Sequence, residues 1–117
     1  MEAEEEFEVE GRLLTDVEGA LDAAVLSTPA MIGMMERASQ RLVRARLDDD
    51  QATVGFEVCV KHVAAAPEGS RCRVRARLQE VVDGRKLRFA VEVLDADGRT
   101  IGVGTHERRV IQVGRRA

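Results

Sequence analysis

An acidic residue lies beside the apolar face of the one long helix that the sequence predicts, over residues 27–46. At helical spacing Glu36 falls next to Ile32 and away from the arginines of the opposite face. A carboxylate among hydrophobic side chains is costly to ionise without a partner, and such groups recur at catalytic sites. The helix alone leaves two interpretations open: a carboxyl group tuned for catalysis, or a surface glutamate that reaches water or pairs with a neighbour.

A histidine, His62, occupies the end of a predicted strand over residues 53–63. It continues the apolar face of that strand at the point where we expect this face to leave the core. Gly55, inside this strand, indicates the close approach of a ligand or another chain segment. An imidazole transfers protons near neutral pH, so His62 is a candidate base, although a structural histidine would fit the same pattern. The shared apolar face consists of Val54, Phe56, Val58, Val60 and His62.

The predicted helix begins with residues that suit a helix N-terminus. Ser27 or Thr28 can cap it through a side-chain hydroxyl, and Pro29 falls at the first helical position. Its apolar face is predicted to contain Met31, Met34, Met35, Ala38, Leu42 and Ala45.

The rest of the sequence predicts one antiparallel sheet that curls around this helix, an α+β domain over residues 1–117. Residues 15–26 fit a short helix or a lid-like loop, Asp83-Gly84 predicts a hairpin turn, and residues 114–117 form a tail. One helix covers only one face of a sheet, and a sheet edge needs a partner, so we expect a dimer or a larger assembly. The predicted strands are residues 6–13, 53–63, 70–82, 86–94 and 99–113.

Composition disfavours several classes of partner and location. The net charge is −3 and the chain lacks Trp and Tyr, which argues against nucleic acid as a partner. No apolar run is long enough to span a membrane, and the acidic N-terminus is unlike a signal peptide, so we expect a cytoplasmic protein. Cys59 and Cys72 form no zinc or disulfide pattern, and Asp48, Asp49 and Asp50 lack calcium-loop spacing, so no metal is expected.

Three segments together resemble the fluoroacetyl-CoA thioesterase group of the hotdog fold. They are residues 25–39 (VLSTPAMIGMMERAS), 53–69 (TVGFEVCVKHVAAAPEG) and 102–111 (GVGTHERRVI). The shared constellation is Thr-Pro at the helix start, a Glu further along the helix, a His that ends the next strand, and a late Gly-Thr-His-Glu-Arg.

The resemblance implies a hotdog fold, a homodimer or dimer of dimers with active sites at the subunit interface, and hydrolysis of a short acyl-CoA thioester. It implies Thr28, Glu36 and His62 as catalytic residues and places Gly55 against the acyl group. It implies no cofactor, since coenzyme A enters only as part of the substrate. Residues 15–26 lack the phenylalanines that the fluoroacyl-selective form has there, so selectivity for a fluorinated substrate is not implied.

In such a site His62 would act as base, Glu36 would orient the imidazole or attack directly, and Thr28 would position water or act as nucleophile. Basic residues would bind the phosphates of coenzyme A, with the Arg71–Arg77 stripe, Arg108 and Arg109 as candidates. His106 is interpreted as structural. Two alternatives to a thioesterase remain: a hotdog-fold hydratase or dehydratase, and a non-catalytic acyl-CoA-binding module.

Overall fold

The computed structural model describes residues 1–114 and contains one long helix and one large antiparallel sheet, as the sequence predicts. The five long strands are ordered β1-β5-β6-β7-β4, and β2 pairs with β3 in a separate small ladder. The predicted tail residues Arg115, Arg116 and Ala117 lie outside the described part. The elements are β1 (Glu2–Glu8), β2 (Leu14–Thr15), β3 (Val25–Leu26), α1 (Thr28–Arg44), β4 (Gln51–His62), β5 (Arg71–Val82), β6 (Lys86–Asp95) and β7 (Thr100–Gln112).

The helix begins as predicted and buries one face against the sheet. Ser27 is the cap, since its Oγ accepts a hydrogen bond from the Ala30 N–H at 3.1 Å. Ser39 also enters the core, where its hydroxyl donates to the Met35 carbonyl. The prediction that Ala45 is buried is wrong, because α1 ends at Arg44 and Ala45 lies exposed after it. The buried helix residues are Met31, Met34, Met35, Ala38, Ser39 and Val43, with Leu42 half-buried.

The first strand lies earlier than the sequence pattern indicates. β1 covers the acidic residues Glu2–Glu8, whereas residues 11–13 form a single 3-10 turn. β1 is stable as a strand because its glutamates lie opposite the arginines of β5, with Glu4 to Arg75 and Glu6 to Arg73 in register. Opposite charge across the ladder therefore outweighs the low strand propensity of glutamate.

The ambiguous segment before the helix is a loop. β2 and β3 pair at its two ends, with Leu14 opposite Leu26. Between them Val17, Glu18 and Gly19 have φ values of 55°, 57° and 86°, a conformation incompatible with a helix.

The predicted burial of the apolar side chains on β4 is wrong for most of that strand. Val54, Phe56 and Val58 are 43%, 59% and 36% exposed, because β4 forms one edge of the sheet. A β-bulge between Gly55 and Glu57 inserts Phe56 as an extra residue against β7. The bulge changes the side-chain alternation, so that Gly55 and His62, seven positions apart, both face α1.

The β5–β6 hairpin agrees with its prediction. Asp83 and Gly84 have φ values of 56° and 65°, as a type I′ turn requires. The inward residues Cys72, Val74, Phe89 and Val93 are buried against the helix side. Among the residues that the structure describes, no helix has the length and apolar character needed to cross a membrane.

Candidate active site

The structure brings two of the predicted catalytic residues into direct contact. The Thr28 Oγ1 atom, at the first position of α1, lies 2.8 Å from the Nδ1 atom of His62, the last residue of β4. Thr28 is free for this contact because Ser27, not Thr28, caps the helix. A hydroxyl that is hydrogen-bonded to an imidazole can act as an activated nucleophile, or it can position a water molecule for attack.

The other ring nitrogen of His62 has no partner. Its Nε2 atom is buried and makes no hydrogen bond within residues 1–114. An unpaired buried polar atom costs free energy, so a site that leaves one unpaired is incomplete. In a hydrolase the missing partner would be an acid that holds the imidazole in one tautomer.

Glu36 lies elsewhere within the same protomer. Thr28 and Glu36 are eight residues apart, which corresponds to about 12 Å along an α-helix. The Glu36 carboxylate instead faces Gly55 and Arg108, with its Oε2 atom 3.9 Å from Arg108 Nη1. Within residues 1–114 the Glu36 carboxylate lies beside Gly55 and Arg108, and its expected cooperation with His62 stays a prediction.

Gly55 is a glycine because the Glu36 carboxylate approaches it closely. A β-carbon at Gly55 would lie 2.9 Å from Glu36 Oε2 and 3.7 Å from both Arg108 Nη1 and His106 Cε1. The close approach predicted at this position is thus made by side chains from α1 and β7.

Arg108 is the predicted substrate-binding residue that lies at this site. Its side chain is only 7% exposed, and it donates from Nε to Thr53 Oγ1 and from Nη2 to the Thr53 carbonyl, both at 2.9 Å. Burial lowers the pKa of the guanidinium, and the charge of Glu36 opposes that shift. Nη1 lies 3.7 Å from the position that a β-carbon of Gly55 would take.

The other arginines proposed for coenzyme A lie away from this site. Arg109 packs over the Phe56 ring at 3.6 Å and pairs with Glu107 at 2.6 Å. The Arg71–Arg77 stripe lies on the side of β5 opposite the buried face, where Arg73 and Arg75 pair with Glu4 at 3.2 Å. Arg75 also pairs with Glu92 at 3.0 Å across the β5–β6 hairpin.

Sequence reasoning missed two contributors to the site, Thr53 and the role of His106. His106 is 2% exposed and lies between Arg108 and the buried Phe89 ring, against which it stacks. Its signal in the sequence was the Gly-Thr-His-Glu-Arg motif. No group of three or more His, Cys, Asp or Glu residues that could hold a metal ion occurs within residues 1–114.

Comparison with solved structures identifies the class of fold. A hotdog-like protein from Thermanaerovibrio acidaminovorans superimposes with a TM-score of 0.86, covering 96% of this chain and 82% of the other at 20% identity. The curved antiparallel sheet around one long helix is therefore a hotdog fold, as the resemblance implied.

The family follows from the sequence itself. The profile of the fluoroacetyl-CoA-specific thioesterases matches residues 9–114, and the chain belongs to that family. A fluoroacetyl-CoA thioesterase from Streptantibioticus cattleyicolor is 39% identical over 89 residues, which cover 76% of this chain and 63% of that relative. The match thus spans less than two thirds of that relative's length.

A crystal structure of a variant of the fluoroacetyl-CoA-specific thioesterase FlK, in complex with fluoroacetate and CoA, is also similar to this chain. It has a TM-score of 0.85 and 33% identity, and the match covers 96% of this chain and 93% of the other.

Proposed function

We propose that this protein is a thioesterase that hydrolyses short acyl-CoA thioesters to the free acid and coenzyme A. The observation that carries the proposal is the 2.8 Å contact between Thr28 Oγ1 and His62 Nδ1, with the buried Nε2 left unpaired. The family of the chain and the CoA-bound relative support the substrate class.

The proposed chemistry uses this contact between the hydroxyl and the imidazole. The Thr28 hydroxyl donates its proton to Nδ1 as its oxygen attacks the thioester carbonyl, and the imidazole carries the proton on to the departing thiolate. The first turn of α1 lies beside the attacking oxygen, so the positive end of the helix dipole stabilises the oxyanion. Water then hydrolyses the acyl-threonine ester, with His62 again as base.

A short acyl group is proposed because side chains crowd the Gly55 backbone. Glu36 and Arg108 border it, each within 4 Å of the position that a β-carbon of Gly55 would take. A short acyl group would displace these side chains less than a long chain would.

The site is completed by a second copy of the chain. β4 is an edge strand of the sheet, so one side of its backbone is open to pairing, and it carries exposed apolar residues. A copy related by a two-fold axis would extend the sheet through β4. In an antiparallel pairing, directly opposite residues point to the same face of the sheet. The bulge at Phe56 lets His62 lie opposite the partner's Gly55 with both facing the helices.

Charge selects this register. A two-fold axis at Cys59 sets Glu57 opposite Lys61 of the partner subunit, twice, on the face away from the helices. Both residues are exposed, and neither has an ion-pair partner within the described residues. The same register sets Val60 opposite the partner's Val58, whereas shifting the axis by one residue breaks the charge pairs.

This register also supplies the missing acid. Glu36 lies against Gly55, so Glu36 of one protomer comes to the unpaired Nε2 of the partner's His62. The catalytic set is then Thr28 and His62 from one protomer with Glu36 from the other. The carboxylate holds the Nε2–H tautomer and stabilises the imidazolium that forms during attack.

A turnover assay tests the activity. A panel of acyl-CoA thioesters with a thiol-trapping dye is expected to show thiol release for short acyl groups. Thr28→Val and His62→Ala are expected to lose roughly 10²- to 10⁴-fold in kcat. Glu36→Gln should lose activity while Glu18→Gln, an exposed loop change, should not.

The same panel separates the alternatives. Absorbance change at an enoyl thioester with the CoA bond intact would indicate a hydratase, and calorimetric binding without turnover would indicate a binding module. Full activity of both His62→Ala and Glu36→Gln would overturn the proposed site.

Subunit mixing tests the shared site. His62→Ala and Glu36→Gln are each inactive alone, but a mixed dimer retains one intact site when Glu36 acts on the partner. Mixing equal amounts after reversible dissociation should restore about a quarter of the wild-type activity. If all three residues act within one protomer, mixing restores nothing.

A further inference from the structure

His106 is a buried histidine that the proposed mechanism does not use. It is 2% exposed, it lies on β7 two residues before Arg108, and its Cε1 atom lies 3.7 Å from the position that a β-carbon of Gly55 would take. A buried imidazole is costly unless both ring nitrogens have partners.

The hydrogen bonds of His106 fix its tautomer. Nδ1 lies 2.8 Å from the carbonyl oxygen of Glu57, and a carbonyl only accepts, so Nδ1 carries the proton. Nε2 of the neutral ring is then an acceptor, and it faces Arg108 Nη1 at 3.4 Å. The Phe89 ring, stacked at a centroid distance of 6.1 Å, holds the plane of the imidazole.

Burial, the largest cause, lowers the pKa of His106, the positive charge of Arg108 lowers it further, and both the bond to the Glu57 carbonyl and the charge of Glu36 oppose the shift. This direction agrees with the neutral ring that the hydrogen bonds require.

Arg108 is held from two sides. Thr53 of β4 accepts from Nε and Nη2, and His106 accepts from Nη1. The remaining contact of Nη1 is Glu36 Oε2 at 3.9 Å. The guanidinium therefore spans from β4 to the helix, and its positive charge lies 3.9 Å from the Glu36 carboxylate, which it attracts.

We propose that His106 is a positioning residue that, as a neutral hydrogen-bond acceptor, orients Arg108 and through it the Glu36 carboxylate. The proposal rests on the proposed thioesterase function for its kinetic consequence, but the arrangement itself is independent of any substrate. It assigns the late His-Glu-Arg motif a role in catalysis without contact with the reacting atoms.

Two amide variants separate the two hydrogen bonds of the ring. His106→Gln places an amide near the position of Nε2 and retains an acceptor for Arg108. His106→Asn places its amide near Nδ1, retains the bond to the Glu57 carbonyl, and leaves Arg108 Nη1 without that acceptor. Both variants remove the imidazole, so a purely structural role of His106 predicts similar losses in both.

The expected kinetic result is a split between the variants. His106→Asn should lose about 10²-fold in kcat on the best acyl-CoA substrate, as expected for a misplaced catalytic group. His106→Gln should stay close to wild type. Equal losses in the two variants, or full activity of His106→Asn, would overturn the proposal.

A spectroscopic readout separates this proposal from the proposed function. In ¹⁵N NMR of the wild type, His106 should show the neutral Nδ1–H tautomer, and the Arg108 Nε–H signal should be resolved. That signal should persist in His106→Gln and broaden in His106→Asn. If no acyl-CoA is hydrolysed, the proposed function fails while these spectra still decide the arrangement; an Nε2–H tautomer would overturn the inference.

A second pair of variants carries the test if His106→Asn does not fold. Thr53→Val removes the hydroxyl that accepts from Arg108 Nε, and Thr53→Ser restores it. A loss of kcat and broadening of the Arg108 signal in Thr53→Val, both rescued in Thr53→Ser, supports the positioning of Arg108. Wild-type behaviour of Thr53→Val would contradict it.

Discussion

At the scale of single residues, the candidate site consists of two separate pairs of side chains, both on the side of the sheet that faces the helix. Thr28 and His62 form a hydroxyl–imidazole pair at one end of β4. Glu36, Gly55 and Arg108 form a carboxylate–guanidinium pair over a glycine at the other end. Within residues 1–114 the buried Nε2 of the imidazole has no partner, so the hydroxyl–imidazole pair is incomplete alone.

Residue types and spacing could foresee part of this site. His62 and Gly55 were predicted from a strand end and a strand glycine, whereas Thr28 was implied as a site residue only by the family resemblance. The structure places each beside functional groups. The neighbours of Glu36 could not be foreseen, because they depend on the bulge that turns Gly55 toward the helix. An inserted residue such as Phe56 leaves no mark on the apolar alternation of a sequence.

Gly55→Ala is expected to lower activity with little loss of stability. The added methyl group would lie 2.9 Å from Glu36 Oε2, and a flexible side chain moves away more easily than backbone does. The carboxylate would therefore be displaced from its catalytic position. We expect a loss of roughly 10-fold or more in kcat/KM, as a misplaced group produces.

Steady-state kinetics and a thermal melt together check this expectation. Gly114→Ala, at a glycine with open space around its α-carbon, is the matched control. Wild-type kcat/KM in Gly55→Ala would show that the position of Glu36 does not matter.

At the scale of elements, β4 is the strand whose prediction was half right. Its existence and its final histidine were correct, but its apolar side chains lie at an exposed edge instead of in the core of the protomer. Sequence periodicity reports that a face is apolar, and it does not report whether the covering surface belongs to the same chain. An interface between copies therefore looks the same as a core.

Pairing through β4 predicts a specific cross-link. Cys59 is exposed whereas Cys72 is buried, so mild oxidation should reach only Cys59. Opposite residues of an antiparallel pair have α-carbons about 4.5 to 5.5 Å apart, within the range that a disulfide spans. With the axis at Cys59, copper-catalysed oxidation should join the two subunits.

Electrophoresis without reductant measures the result. A covalent dimer that is absent from Cys59→Ser, and is unaffected by Cys72→Ser, supports the register. Monomer only, in a protein that is dimeric by light scattering, would place the axis elsewhere.

At the scale of the whole molecule, the sheet and its single helix were predictable because their signals are local. The N-cap at Ser27, the Asp83-Gly84 turn and the alternating strands each fix one element. The first strand was misplaced because its stability comes from a partner distant in sequence. Glu2–Glu8 has no strand signal of its own until the arginines of β5 lie beside it.

The stability of the whole fold should depend on His106 as pH falls. The pKa of His106 in the folded state is lowered from its ordinary value of 6.5, mainly by burial. Below that value the unfolded chain therefore binds a proton that the folded chain does not. Stability is full above about pH 6.5 and is lost as the pH falls below it.

Calorimetric melts at several pH values between 5 and 8 test this dependence. The Tm of the wild type should fall more steeply toward pH 5 than the Tm of His106→Gln, which has no imidazole at this position. Parallel curves would mean that His106 binds a proton equally well in both states.

The two borders of the sheet differ in a way that limits growth. The outer border, β1, consists largely of glutamates, and a second β1 laid against it would bring like charges together. β4 is then the border of this sheet that stays open to strand addition. In the proposed pairing two copies use both of their open borders on each other, which would give a finite particle and not a fibre.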